Sequence, residues 1–176
     1  RNDQVLVASR LYLRDRLDQL FGLCQNIARS FLNHASQHEK IAMPGYTHLQ
    51  RAVPSSVGMW AAGFAESFLD NALLIQQQHH WINSSPLGTA AGYGVNLPLA
   101  RQTVSEEMDF NRLQLNPLYA QNSRGKFELS ALCTLSQCLL DVRRLAWDLS
   151  LFTTAEYSFV KLPNTYTTGS SIMPNK

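Results

Sequence analysis

The chain has 176 residues, 45% apolar, 16% charged and 10% aromatic, and its 15 Lys+Arg against 13 Asp+Glu leave a formal charge of +2. That length suits one domain with a core of its own, and the composition excludes a collagen-like repeat, a disulfide scaffold and a disordered chain. The charge bias is too weak to name nucleic acid or an acidic membrane as a partner, and the apolar runs are too short to span a bilayer or form a signal-peptide core.

The first element follows the opening Arg1-Asn2-Asp3-Gln4. Leu6, Leu13, Leu17, Leu20, Cys24, Ile27 and Phe31 recur at steps of three, four or seven, with Arg14, Asp15, Asp18 and Arg29 on other faces, which predicts a long amphipathic helix. Met43 to Pro54 is bracketed by prolines and should be extended or turn-like, with Pro54 and Ser55 opening a second helix. That helix carries Val57, Ala61, Phe64, Phe68, Ile75 and Ile82 on one seam, interrupted by polar Asn71 and Gln78, and a second apolar flank of Trp60, Leu69, Leu73 and Leu74. Ser84 to Gly94 is rich in small residues, a loop in which backbone closely approaches a ligand or another chain. Leu97 to Met108 suggests a short helix opened by Pro98. The third long seam, Leu132, Leu135, Leu139, Val142, Ala146 and Leu149, alternates threes and fours without a miss. The Thr/Ser/Gly-rich stretch from Pro163 to Lys176 reads as a mobile loop.

Each seam is roughly 25–35 residues, against about 11–12 for a mean globular helix. Rods of that length predict an all-α, long helical bundle whose apolar faces are completed by other chains. On periodicity alone, a plain coiled-coil or four-helix oligomerisation module is the favoured reading of the seams. Cys24, Cys133 and Cys138 make an odd count with no CxxC pair, which favours reduced core thiols and a cytoplasmic setting.

His34, His38, His79 and His80 fall near helix ends among polar residues and read as solvated; no third ligand is spaced to make a metal site with His79-His80. His48 differs. It sits in the Pro-bracketed block between Thr47 and Gln50 with Arg51 close by, where an imidazole can accept or relay a proton near neutral pH. The closing Gly169-Ser170-Ser171-Ile172-Met173-Pro174-Asn175-Lys176 pairs hydroxyls with a lysine. A serine becomes a base only where positive charge or backbone N–H groups stabilise its alkoxide, which Lys176 or loop amides could supply; an ordinary tail is the competing reading.

Three blocks in order, Arg1-Asn2-Asp3-Gln4, Pro44-Gly45-Tyr46-Thr47-His48-Leu49-Gln50-Arg51-Ala52 and Gly169 to Lys176, resemble the argininosuccinate lyase family of the fumarase/aspartase superfamily. The last is the start of the superfamily signature GSSxMPxKxN. The resemblance implies a fumarase/aspartase-type helical bundle packing across subunits, and a reversible C–N elimination that releases arginine and fumarate from argininosuccinate. It implies Ser170 as the carbon-proton base, Ser171 being the alternative register, Lys176 stabilising the alkoxide and the aci-carboxylate, and His48 as proton donor on the opposite side. The reverse assignment of the two proton-transfer roles stays open. Arg1, Asn2 and Thr47, with Gln50, would grip the substrate carboxylates. No metal or organic cofactor is implied.

The resemblance further implies homotetramers whose active sites draw on three subunits, so that His48 and Ser170 of one chain need not meet. It implies that residues 1–176 form a central helical-bundle segment of a longer, cytoplasmic enzyme, inactive by itself, with the signature loop of 163–176 cut short. The segment Gln121 to Glu128 departs from the family's Ser-x-Arg-Asp-Phe pattern, although Arg124 is retained, which leaves subtype and fine substrate contacts open. The alternatives are an adenylosuccinate lyase-type relative and a non-catalytic helical oligomer.

Overall fold

The computed structural model describes residues 2–173; Arg1 and Lys176, two of the residues singled out above, lie outside them. Three long helices dominate: α1 (Asn2–Gln37), α2 (Val57–Ile82) and α5 (Lys126–Phe152). At 1.5 Å per residue the 36 residues of α1 make a rod of about 54 Å. Between α1 and α2 lies a hairpin of β1 (Ala42–Thr47) and β2 (Gln50–Ser56). After α2 come β3 (Ser84–Ser85), α3 (Arg101–Glu107), β4 (Arg112–Leu113) and α4 (Pro117–Asn122), with β3 and β4 paired in parallel. The architecture is mainly helical, as the seams require. The proline-bracketed block is the extended hairpin.

The core forms where the three rods meet, on Leu17, Cys24, Ala28, Phe68, Ala72, Ile75, Phe127 and Cys138. The α1 and α2 seams supply most of it. Gly58 allows a close approach of α2 to the end of α1 and the turn after it: a Cβ there would sit 2.6 Å from Glu39 Cα and 2.9 Å from the Ala35 carbonyl oxygen. The polar breaks in the α2 seam find partners on α5. Asn71 Nδ2 donates to Asp141 at 2.7 Å, Gln78 Oε1 accepts from Ser130 at 2.7 Å, and Trp60 Nε1 donates to Asp148 at 2.9 Å. These bonds fix the register of two otherwise slippery apolar faces.

Two boundaries differ from the sequence expectation. Helix α2 opens at Val57, later than Pro54-Ser55 suggested, because the Ser56 hydroxyl accepts the Met59 N–H at 3.0 Å and caps it. The short helix starts at Arg101 rather than Pro98, after the Arg101 N–H has closed a turn onto the Leu99 carbonyl. All three cysteines are free; Cys24 and Cys138 are buried and Cys133 is exposed. Burial pushes the Cys24 thiol up to about 12 and raises that of Cys138 as well, so both are protonated core groups.

The third seam faces outward. Helix α5 packs inward through Phe127, Ala131, Thr134 and Cys138, whereas Leu132, Leu139, Leu140 and Val142 are about half exposed. Between α1 and α5 runs an apolar groove of about 410 Å³, walled by Leu13, Leu20, Leu23, Leu132 and Leu135 and rimmed by Arg16 and Glu128. On the far flank of α2, Leu69 and Leu73 are also exposed.

Candidate active site

Thr47 and Gln50 close the hairpin as cross-strand partners, leaving His48 and Leu49 as a two-residue tip. Both tip residues have positive φ, 52° and 59°, the pattern of a type I′ turn that usually takes Asn-Gly. Holding non-glycine residues there costs on the order of 1–2 kcal/mol each. Next to the tip, Tyr46 packs edge-on against Tyr157 at 5.0 Å and lies 6.0 Å from Phe159. Phe152 touches both of those rings and Trp60. This aromatic cluster ties the hairpin to α2, α5 and the chain that leaves α5. Sequence periodicity could not find it, because its members lie on four different elements.

His48 is exposed and borders a cleft of about 460 Å³ shared with Tyr46, Trp60, Arg144, Trp147 and Asp148. Arg144 brings a cation into the surroundings of the imidazole, a neighbour that the sequence pattern did not single out. No residue of 163–173 lines this cleft. Ser170 is exposed, and its Oγ accepts the Met173 N–H at 3.0 Å and the Ile172 N–H at 3.4 Å. Loop amides thus aim at the hydroxyl, the kind of donor an alkoxide needs. Ser171 is exposed beside it.

Asn2 lies at the other end of the molecule. It opens α1, whereas the hairpin follows the last turn of α1 and packs on the start of α2 and the end of α5. Helix α5 runs parallel to α1: Phe127, near its start, lies under Arg10, and Phe152, at its end, meets Trp60 at the start of α2. Most of the length of α1 therefore separates Asn2 from Thr47, His48 and Gln50 of the same chain, a span of tens of ångströms. One small substrate cannot touch both ends.

Around the Asn2 end lies a dense polar assembly that sequence reasoning registered only as a small-residue loop. Arg10 is 1% exposed; its Nη1 donates to the Ile82 carbonyl at 3.1 Å and to Ser84 Oγ at 3.3 Å, and its guanidinium lies 3.2 Å from the centroid of the Phe127 ring. Burial lowers Arg10 to about 10, with Glu128 acting in the opposite direction, so it is still charged at neutral pH. Among the described residues, no group of three or more His, Cys, Asp or Glu side chains gathers as a metal site.

An exposed imidazole on a strained tip and a serine hydroxyl that accepts loop N–H groups thus stand on separate parts of a mainly helical chain. A family model described as lyase matches residues 1–176, and the chain belongs to that lyase family. Over all 176 residues it is 61% identical to the argininosuccinate lyase of Xylella fastidiosa strain 9a5c and 56% identical to that of Stenotrophomonas maltophilia strain R551-3. It spans 40% and 41% of the length of these relatives. Among solved structures, EDDS lyase in complex with formate matches with a TM-score of 0.94 at 27% identity, over 99% of this chain and 35% of that one. An EDDS lyase variant with bound fumarate matches equally well, covering all of this chain.

Proposed function

We propose that the polypeptide containing this chain is an argininosuccinate lyase, a cytoplasmic enzyme that splits argininosuccinate into arginine and fumarate. The observation that carries the reading is the strained hairpin tip, which sets His48 outward between Thr47 and Gln50, within a chain so similar to enzymes of that name. The fumarate bound in a related lyase fits the product expected here.

In the elimination a base removes a proton from the carbon beside a carboxylate, and the electron pair becomes a dianionic aci-carboxylate. The C–N bond then breaks, its electrons leaving on nitrogen, which takes up a proton. Ser170 is assigned as the base, with Ser171 the alternative, and Lys176 supplies positive charge to the alkoxide and the aci-carboxylate. His48 protonates the departing guanidinium nitrogen, or exchanges roles with the serine. A well-placed donor to the developing charge is worth about 3–4 kcal/mol of barrier. Arg1, Asn2, Thr47 and Gln50 hold the substrate carboxylates, and the assignment calls for no metal or organic cofactor.

Because α1 keeps Asn2 away from His48, one site must combine these residues from different copies. The exposed α5 seam and the apolar α1–α5 groove supply faces on which copies pack, consistent with a homotetramer. Fumarate release from argininosuccinate, followed by ultraviolet absorbance with the full-length polypeptide, tests the activity. His48→Asn should lower kcat by about 10²–10⁴. Turnover of adenylosuccinate with none of argininosuccinate would overturn the reading.

A further inference from the structure

Asp3 belongs to the opening motif, yet the assignments above give it no task. It is 7% exposed in the first turn of α1. Its Oδ2 accepts the backbone N–H of Gly88 at 2.9 Å and of Ala90 at 3.2 Å, and its Oδ1 accepts the Gln4 N–H at 3.0 Å. The same turn is gripped from its carbonyl side: Arg101 Nε donates to the Leu87 carbonyl at 2.8 Å, while its Nη2 reaches the Gln114 carbonyl at 2.7 Å. Gly88 has φ +83°, and a Cβ on it would meet the Arg101 side chain at 2.8 Å, so the turn is fitted between the two charged groups. An anion takes the N–H groups of residues 88 and 90, and a cation takes the carbonyl of residue 87. This bracket joins elements more than 80 positions apart in the chain. It does so one residue from Asn2.

We propose that Asp3 is a positioning residue: by binding the 87–90 turn it fixes the first turn of α1, and with it Asn2, in the orientation that receives a substrate carboxylate. The inference rests on the assignment of Asn2 above. A carboxylate is required because, among the described residues, three backbone N–H groups point at Asp3 from both sides; an amide in its place turns N–H toward N–H on at least one side. Loss of the bracket releases the Asn2 end without altering the groups that move protons. The cost therefore falls on substrate binding more than on the chemical step.

The test measures kcat and KM for argininosuccinate with full-length Asp3→Asn, together with hydrogen exchange of the 84–94 segment. The expected result is a KM raised about tenfold or more, kcat within about threefold, and faster exchange in 84–94. An unchanged KM, or a loss confined to kcat, overturns the proposal. If Asp3→Asn does not fold, Arg101→Gln loosens the same turn from its other side and decides by the same criteria. Asn2→Ala and His48→Asn are measured in parallel. If both keep normal turnover, the site assignment itself fails; if both collapse while Asp3→Asn keeps its KM, the role of Asp3 alone is refuted.

Discussion

Burial alone would raise the Asp3 carboxyl, but hydrogen bonds, those from the Gly88, Ala90 and Gln4 N–H groups among them, together outweigh it and hold the group below its ordinary 3.8. A carboxyl whose folded pKa is depressed contributes stability that is fully present above the unfolded value and is lost as pH falls through the folded one. Asp3→Asn should thus narrow its gap in denaturation midpoint from the parent protein only on the acid side. The gap should be flat above about pH 5 and shrink below about pH 4 in urea melts taken across that range. A gap independent of pH down to about pH 3 would mean that the charge of Asp3 contributes nothing to the bracket.

At the scale of elements, Gly58 makes the sharpest demand. Alanine is the better helix former by about 0.8–1 kcal/mol, but at this position its methyl would meet backbone atoms of α1 and the turn after it at 2.6 and 2.9 Å, atoms that a side-chain rotation cannot move. Gly58→Ala should destabilise by about 1–3 kcal/mol. Gly63, in the same helix, has nothing within 4 Å of the place a methyl would take, and the same change there should stabilise by about 0.5–1 kcal/mol. Thermal melts of the two variants should move in opposite directions. The rods themselves were legible from periodicity because burial of one face leaves a mark at every third or fourth residue, and α1, α2 and α5 each carry it. The hairpin was readable only as a Pro-bracketed extended block, since the turn at His48-Leu49 lacks the Gly or Asn that would announce positive φ. The proposed site residues Thr47 and Gln50 came from the family resemblance, and His48 from its place in the Pro-bracketed block together with that resemblance. Asp3 and Arg101 escaped notice because each acts on backbone groups far away in sequence, and periodicity carries no record of such partners.

On the scale of the whole molecule, the same periodicity that located α5 did not say which chain its seam would meet. Leu132, Leu139, Leu140 and Val142 are among the exposed apolar side chains, while Phe127, Ala131 and Cys138 do the packing within the chain. Fully burying one leucine stabilises by about 1.5–3 kcal/mol, so covering this face on several copies supplies a substantial driving force for association. The face can be altered without disturbing the intrachain core. Leu132→Lys with Leu139→Lys should leave helicity by circular dichroism nearly unchanged, while the mass by light scattering falls to that of smaller species. On the proposed shared site, turnover should vanish with the assembly, although neither substitution touches a proposed catalytic residue, because that site needs Asn2 of one copy to meet His48 of another. A doubly substituted protein that keeps both its mass and its activity would show that this face of α5 is not where copies join.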